Sequence, residues 1–254
     1  MSDDGPVAVS VVIAARNEAA SIKACIESVR WAHEVIVVEN DSTDDTVAIA
    51  KGVGAIVFSK PFTTIGQQRN AAIERASSEW ILVVDADERG APELGDEIRR
   101  KIANPAHDAW RIPRRNYFLG REIRHGGWES DRPVRLFRRA LRYNSSRIHE
   151  HVETGGSVGE LRSPLAHFTY TSLDQYFEKF DRYSKGWAND QFESGRRAGA
   201  GSVLFRPPAR FLSMYLIRGG WMDGAPGAVL AALASASVLA KYARLWALSA
   251  DARK

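Results

Sequence analysis

The chain has 254 residues, of which 44% are hydrophobic and 26% charged, and its formal net charge is +4. This composition is typical of a folded globular protein and excludes wholesale disorder, and the length predicts one α/β domain with an appended segment. The single cysteine, Cys25, excludes an internal disulfide and a cysteine-based zinc site.

Charge is distributed unevenly along the chain. Residues 1–100 carry 10 basic and 17 acidic side chains, whereas residues 101–150 carry 12 basic and 5 acidic ones. The acidic part suits a cation site and the basic part suits an anionic partner. The first ten residues lack a basic stretch followed by an apolar run, so we expect a cytoplasmic location.

The first hundred residues alternate between apolar runs and helical periodicity. The apolar runs predict parallel strands buried on both faces; they are residues 7–15, 34–40, 55–59 and 80–85. Between them, Ile22, Cys25, Ile26 and Val29 recur at helical spacing, and residues 65–76 also predict a helix. Strand–helix alternation with short connections indicates right-handed crossovers in a doubly wound sheet.

Polar side chains follow three of these predicted strands. Ligands of open α/β sheets bind at the carboxyl ends of the strands, so we expect these clusters to share one edge. The clusters are Ala15-Arg16-Asn17-Glu18, Glu39-Asn40-Asp41 and Asp85-Ala86-Asp87.

The second half of the chain changes character from about Asp108. Residues 109–118 and 133–139 alternate apolar and basic side chains, as half-exposed strands do. Residues 172–187 read as a capped helix, and residues 195–210 as a linker rich in glycine and proline. We therefore divide the chain into a domain over 1–200, with halves 1–105 and 106–200, and a helical segment over 201–254.

The C-terminal segment contains an uncharged run over residues 224–240. Seventeen residues are fewer than the roughly 20 that span a bilayer. With arginines and aromatic residues upstream, the run predicts an amphipathic helix in the membrane interface. A helical pair packed on the main domain is the alternative.

Two carboxylates two residues apart, Asp85 and Asp87, end the fourth predicted strand. Like charges this close repel unless a cation joins them, and Mg²⁺ or Mn²⁺ binds carboxylate, phosphate and water oxygens. A surface turn rich in aspartate is the alternative. Neither a GxGxxG turn nor a P-loop occurs, which leaves a metal-bridged nucleotide diphosphate as the favoured ligand.

The motifs VSVVIAARNEAASIKACIESV, EVIVVENDSTDDTVAIA and GQQRNAAIERASSEWILVVDADE together resemble a family 2 glycosyltransferase with the GT-A fold. The later motifs GGWESDRPVRLFRR, IHEHVE, SPLAHFTY and DGAPGAVLAALASASVLAKYARLW resemble the branch that contains bacterial lipopolysaccharide-core β-glucosyltransferases. The resemblance implies a Rossmann-like, mostly parallel sheet flanked by helices, followed by a helical extension.

The resemblance also implies roles for individual residues. Donor-binding roles fall on Ala15, Arg16, Glu18, Glu39, Asp41, Arg69, Asn70, Asp85 and Ala86. Separately, Gly126, Gly127 and Trp128 suggest a close-approach loop in which Trp128 stacks on the donor sugar, and a plain core residue is the alternative for Trp128. Asp87 matches the more direct metal ligand and Asp85 its neighbour. Family members often carry two carboxylates before the Ser-Thr-Asp element. Here Asn40 follows Glu39, which weakens the assignment of the base contact.

An inverting transfer also needs a carboxylate that deprotonates the acceptor hydroxyl. This base lies across the sugar from the diphosphate, which excludes Asp85 and Asp87 and favours the second half of the chain. Asp131 fits best, because similar sequences place an acidic residue shortly before the RLF strand, and Glu129 and Glu150 are alternatives. His149 and His151 share one side of a predicted strand, and His151 is the preferred further metal ligand.

These observations predict an inverting, metal-dependent hexosyltransferase. The expected donor is a nucleotide-diphosphate sugar, such as a UDP-linked hexose. The expected acceptor is an anionic glycolipid or oligosaccharide, such as lipopolysaccharide core, at the inner face of the bacterial cytoplasmic membrane, and no nucleic acid is expected as a partner. The alternatives are a sugar nucleotidyltransferase, whose glycine-rich loop is missing from AARNEA, and a non-enzymatic basic module that binds membrane or nucleic acid.

Overall fold

The computed structural model describes residues 5–144 and 150–251. The chain divides into two compact units, Met1–Arg114 with Asp131–His167, and Arg115–Ser130 with Phe168–Lys254. The predicted boundary between the domain over residues 1–200 and the segment over 201–254 stays a prediction, because a division into compact units does not show which residues carry the activity.

The bounds of the regular elements are as follows. The strands are β1 (Val7–Ala15), β2 (Ala32–Glu39), β3 (Ile56–Ser59), β4 (Trp80–Asp85), β5 (Glu88–Gly90), β6 (Ala109–Arg111), β7 (Arg114–Phe118), β8 (Arg121–Ile123), β9 (Val134–Arg138), β10 (Val158–Glu160) and β11 (Leu165–Tyr170). The α-helices are α1 (Ile22–Ser28), α2 (Thr46–Gly52), α3 (Ile65–Arg75), α4 (Leu94–Ala103), α5 (Leu173–Glu193), α6 (Ala200–Leu212) and α7 (Gly224–Asp251).

The first unit is built on a mixed sheet with strand order β10-β6-β9-β4-β1-β2-β3. β1 pairs in parallel with β2 and β4, and β2 pairs in parallel with β3. β9 runs antiparallel to β4 and β6. The predicted parallel strands are confirmed, and the GT-A type sheet flanked by helices is observed.

Alternate residues of β1 bury against opposite faces of this sheet. Val11 and Ile13 belong to one hydrophobic cluster, together with Ile26 of α1. Val12 belongs to a second cluster, together with Ile73 of α3. Since side chains alternate along a strand, a continuous apolar run fills two cores at once, which explains why β1 lacks a polar face.

Parallel pairing brings the predicted polar clusters to one edge of the sheet. Ala15 is in register with Glu39 of β2, and Ala14 is in register with Asp85 of β4. The order changes direction beside β1, because β2 continues on one side and β4 lies on the other. Such a switch point opens a crevice at the carboxyl ends of the strands.

The second unit is mostly helical. α5 and α6 both pack along α7, and Phe118, Tyr176, Met214 and Leu230 form its main apolar cluster. The first turn of α7 lies against a 3₁₀ turn, Gly220–Asp223. A Cβ atom on Gly227 would lie 2.0 Å from the Gly220 carbonyl oxygen, so this approach requires glycine.

The prediction of a linker around residues 195–210 is wrong for most of this stretch, because α6 begins at Ala200. Pro207 and Pro208 lie inside this helix, where each removes a backbone donor. Packing along α7 compensates, and Ser235 of α7 donates a hydrogen bond to the Pro207 carbonyl at 2.8 Å. Tertiary contacts therefore outweigh the local preference of the glycine- and proline-rich sequence.

Candidate active site

The loops that follow β1 and β2 are held together by side-chain hydrogen bonds. The Thr43 amide donates to Asn17 Oδ1 at 2.8 Å, and the Asn17 amide donates to Ser42 Oγ at 3.0 Å. Asn17 adopts a positive φ of 55°, which asparagine tolerates better than most residues. The Glu18 amide donates to Thr46 Oγ1 at 2.7 Å. The two strand ends therefore form one continuous polar rim.

The predicted donor-binding residues of this rim differ in exposure. Ala15 and Glu39 are buried, whereas Arg16 and Asp41 are exposed. Burial raises the pKa of Glu39, but hydrogen bonds led by the Ser42 amide outweigh it and lower the pKa of that carboxyl below its usual value. Ser21 donates to Glu18 Oε2 at 2.6 Å. Glu18 thus lies close to the start of α1, as its early-helix position suggests.

Asp85 lies in a cage of three guanidinium groups. Arg69 pairs with Asp85 Oδ1, while Arg135 and Arg114 pair with Oδ2, the latter at 2.8 Å. Burial alone raises the pKa of Asp85, but the charges of Arg135, Arg69 and Arg114 outweigh it and hold that pKa far below its ordinary range. Asp85 is therefore a permanently charged anchor for the arginines.

A second carboxylate, which is fully buried, completes this cage. Glu88 is fully buried and accepts from Arg114 Nε at 2.5 Å. Its other oxygen accepts from the Asp85 backbone amide at 2.8 Å, and Arg135 approaches Glu88 at 3.4 Å. Each buried charge has a partner, as a low-dielectric interior demands.

The depressed pKa of Asp85 predicts a limit to acid stability. Its contribution is complete above the unfolded pKa of about 3.9 and disappears as the pH falls through the lower folded pKa. We therefore expect the urea midpoint of unfolding to fall steeply below about pH 4. In Asp85→Asn the fall should be shallower, although that variant is less stable at neutral pH. Equal slopes in the two proteins would contradict this role of Asp85.

Asp87 lies outside the arginine cage and pairs with a histidine. Its Oδ2 lies 3.6 Å from Nε2 of His167, a residue of β11 that is in register with Glu88. A carboxylate oxygen and an imidazole nitrogen at this separation can both reach one Mn²⁺ or Mg²⁺ ion, which binds oxygen ligands at about 2.1 Å. The donor set of Asp87 therefore fits a divalent cation, while the oxygens of Asp85 are engaged by arginines.

The residues described hold no preformed group of three or more acidic, histidine or cysteine side chains that could bind a metal. His151, the predicted further ligand, lines a neighbouring cavity, and its amide donates to Asn144 Oδ1 at 3.2 Å. His149 lies outside the described residues. Among the described residues, Asp87 and His167 are thus a pair that could contribute ligands to a cation, and further ligands would have to complete its shell.

A cavity of about 530 Å³ opens beside the cage. It is lined by Arg69, Asp85, Arg111, Arg114, Pro133, Val134, Arg135, Tyr143, Glu150, His151, Val152 and Thr154. Within the described part of the chain, Arg69 Nε, Arg135 Nε and the Tyr143 hydroxyl are buried without a hydrogen-bond partner. The guanidinium groups of this lining carry positive charge, which suits anionic oxygens.

Arg69 and Asn70 are consecutive residues of α3 whose side chains make different contacts. Arg69 pairs with Asp85 and lies 3.4 Å from Glu150, and its guanidinium stacks 5.0 Å from the Tyr143 ring. The Asn70 side chain donates to the Tyr143 carbonyl and accepts from its amide, both at 2.9 Å. Arg69 therefore faces the cavity, whereas Asn70 clamps the segment that carries Tyr143.

The three candidate bases lie in different surroundings. Asp131 Oδ2 accepts from Arg114 Nη1 at 3.0 Å, and its side chain remains 40% exposed. Glu150 lines the cavity. Glu129 belongs to the second unit, where it accepts from the Gly127 amide at 2.9 Å, and Trp128 belongs to the same unit and packs on its apolar cluster. Asp131 is thus joined to Asp85 through a single guanidinium.

Comparison with known proteins identifies the family. The model of glycosyl transferase family 2 matches residues 10–169. The lipopolysaccharide core biosynthesis glycosyltransferase LpsC of Rhizobium meliloti is 32% identical, with 92% of this chain and 93% of the relative covered. The chain belongs to glycosyl transferase family 2. An uncharacterised glycosyltransferase of Rickettsia typhi is 29% identical, with 96% and 89% covered.

A solved structure has a fold similar to that of this chain. Residues 1–349 of TarS from S. aureus, in a crystal structure with UDP-GlcNAc, match with a TM-score of 0.52 at 15% identity. The match covers 93% of this chain and 91% of that chain. At this identity the likeness concerns the fold alone.

Several residues of the site escaped the sequence analysis. Arg114, Glu88, Tyr143 and His167 were not among the predicted site residues. His167 occurs in SPLAHFTY, one of the motifs that carry the family resemblance. Its place in that motif could have indicated a role in the site. Arg114 is one of many arginines in its stretch, and nothing local distinguishes it.

Proposed function

We propose that this family 2 member is an inverting hexosyltransferase that moves a sugar from a nucleotide-diphosphate donor to an anionic glycolipid acceptor. One observation carries the proposal: the caged Asp85 ends β4 at the switch point of the sheet, beside a cavity rich in arginine, and Asp87, which pairs with His167, follows two residues later. Cationic side chains and a cation-binding pair at one edge suit a diphosphate leaving group.

The nucleotide is proposed to bind along the rim after β1 and β2, with Ala15, Arg16, Glu18, Glu39 and Asp41. These residues lie at the strand ends where such sheets bind nucleotides. A UDP-linked sugar is favoured, since TarS, which has the same fold, was solved with UDP-GlcNAc. Arg69 and Asp85, with Ala86 between Asp85 and Asp87, would then lie next to the diphosphate and sugar.

A divalent cation, Mg²⁺ or Mn²⁺, would be held by Asp87 and His167, with His151 of the cavity as the alternative partner. When bound, it neutralises the negative charge that develops on the departing diphosphate. Arg69 and Arg135 supply fixed positive charge at the same edge, and their partners Asp85 and Glu88 keep them oriented without reorganisation during the reaction.

The proposed base is Asp131. It accepts the proton of the acceptor hydroxyl while that oxygen forms a bond to the anomeric carbon and the bond to the diphosphate breaks, which inverts the configuration. Arg114 holds the Asp131 carboxylate at 3.0 Å and so positions it. Glu150 and Glu129 are the alternative bases.

The acceptor is proposed to be an anionic, membrane-anchored glycolipid such as lipopolysaccharide core. The name of LpsC supports this class of acceptor, and Arg111 of the cavity lining offers a cation for its phosphate or carboxylate. Sugar transfer would then take place on the inner face of the cytoplasmic membrane. Residues 1–200 would catalyse the transfer, and residues 201–254 would bind the membrane interface.

Calorimetry with UDP, with and without Mn²⁺, tests this function. We expect Mn²⁺ to strengthen binding, and Asp87→Ala to weaken the Mn²⁺-dependent binding by at least about 10-fold, since even outer-shell partners of a metal contribute roughly 10–100-fold. Asp96→Ala, which removes an exposed carboxylate of α4, is the matched control and should bind like the wild type. Unchanged affinity in Asp87→Ala would refute the metal role, and no UDP binding at all would refute the donor class.

A further inference from the structure

An exposed apolar stripe runs along α7 in the second unit. Its exposed positions are spaced three, four or seven residues apart, and therefore lie on one side of the helix. They are Ala225, Val229, Ala232, Ala236, Leu239 and Trp246. None is charged, and the opposite side of α7 packs against α5 and α6. The stripe is therefore an apolar surface that the described residues of this unit leave uncovered.

α6 and the turns after it add larger exposed side chains. Phe205 is 74% exposed and Ile217 is 82% exposed. The remaining exposed large apolar residues of this stretch are Leu204, Leu212, Leu216, Trp221 and Met222. So many bulky apolar side chains in about twenty residues exceed the scattered exposure that is normal for a protein surface, and indicate an interaction site.

Positive charge accompanies these apolar residues. Residues 194–251 contain seven basic and two acidic side chains. Arg206, Arg210 and Arg218 lie within or next to α6, and the Arg206 guanidinium stacks 4.7 Å from the Tyr242 ring of α7. Apolar side chains combined with arginine and tryptophan are the composition of helices that lie in the interface of anionic membranes.

We propose that the exposed side of α6 and α7, here called the docking face, inserts into the headgroup region of a bilayer that contains anionic lipid. The apolar side chains enter the acyl boundary, and the arginines contact lipid phosphates. The docking face would hold the enzyme close to a membrane-anchored acceptor. Only the identity of that acceptor rests on the proposed function.

The docking face lies along the membrane and does not cross it. Gly220–Asp251 is long and apolar enough to span a bilayer by length and composition, which alone is weak evidence. α7, however, is bound to α5 through the Arg244–Asp181 ion pair and a 2.9 Å hydrogen bond from the Tyr176 hydroxyl to the Leu233 carbonyl. α5 carries eight charged residues, and burying them in hydrocarbon would be very unfavourable.

Flotation of the full chain with vesicles tests the proposal. We expect the protein to float with vesicles of phosphatidylcholine and phosphatidylglycerol, to bind pure phosphatidylcholine more weakly, and to be released by alkaline carbonate. Phe205→Glu and Ile217→Glu should each lower partitioning by at least about tenfold, because each brings a charge to the apolar boundary. Ile56→Glu, at an exposed apolar position of β3 in the first unit, is the matched control and should float like the wild type.

Three results would overturn the proposal. Unchanged flotation of both docking-face variants would remove the face from membrane binding, and retention after carbonate would indicate a spanning helix. Concentration-dependent dimers in sedimentation equilibrium without lipid, lost in Phe205→Glu, would show that a second copy covers the face. UDP calorimetry on the same variants separates the two proposals: intact nucleotide binding without flotation refutes only the docking face, whereas flotation without nucleotide binding refutes only the transferase function.

Discussion

Asp131→Asn is expected to lower sugar transfer by at least about 10²-fold, the usual contribution of a general base. The amide keeps the shape of the side chain and still accepts a hydrogen bond from Arg114, which in the native protein lies 3.0 Å from Asp131 Oδ2. It cannot take a proton from the acceptor hydroxyl, so kcat falls while donor binding remains. The measurement is transfer to a lipopolysaccharide-core acceptor, beside UDP calorimetry on the same variant.

Glu129→Gln and Glu150→Gln serve as matched controls, since each removes one carboxylate that was also considered as the base. We expect both to retain most of the kcat of the wild type. Glu150→Gln is expected to affect KM, because Glu150 lies 3.4 Å from Arg69 in the cavity. Full turnover in Asp131→Asn, with loss in one of the other variants, would move the base to that residue.

Arg135→Met is expected to destabilise the first unit by about 3–5 kcal/mol, the scale for breaking a buried ion pair from one side. Arg135 is buried, pairs with Asp85 and lies 3.4 Å from Glu88. Without it, the buried Glu88 and the partly buried Asp85 share the remaining guanidinium groups and repel each other. Urea unfolding followed by circular dichroism measures the loss.

Arg132→Met is the matched control for this prediction. Arg132 is half exposed and pairs with Glu160 at 3.2 Å, so its loss should cost no more than about 1 kcal/mol, as is usual for surface pairs. Arg135→Lys keeps the charge but offers fewer donors, and we expect it to lie between the two. Equal stability of Arg135→Met and the wild type would show that the cage does not hold the fold together.

Local patterns were enough to predict the scaffold of the site. The continuous apolar run of β1 predicts a strand buried on both faces, and the observed strand packs into both cores. Parallel strands bring their carboxyl ends to one edge, so the position of Asp85 and Asp87 at that edge followed from their place after β4. These inferences depend on the spacing of apolar residues, which has a period of two in strands and 3.6 in helices. This spacing can be read from a short stretch of sequence without knowledge of tertiary contacts.

The partners of each charged side chain could not be predicted in the same way. Asp85 draws its arginines from α3, β7 and β9, which lie 16, 29 and 50 residues away, and Asp87 meets His167 across a strand pairing far along the chain. The helix α6 formed where glycine and proline predicted a linker, because α7 packs against it. Periodicity shows which side of an element is apolar, whereas the choice among the many arginines of the chain for one carboxylate depends on distances that exist only after the chain has folded.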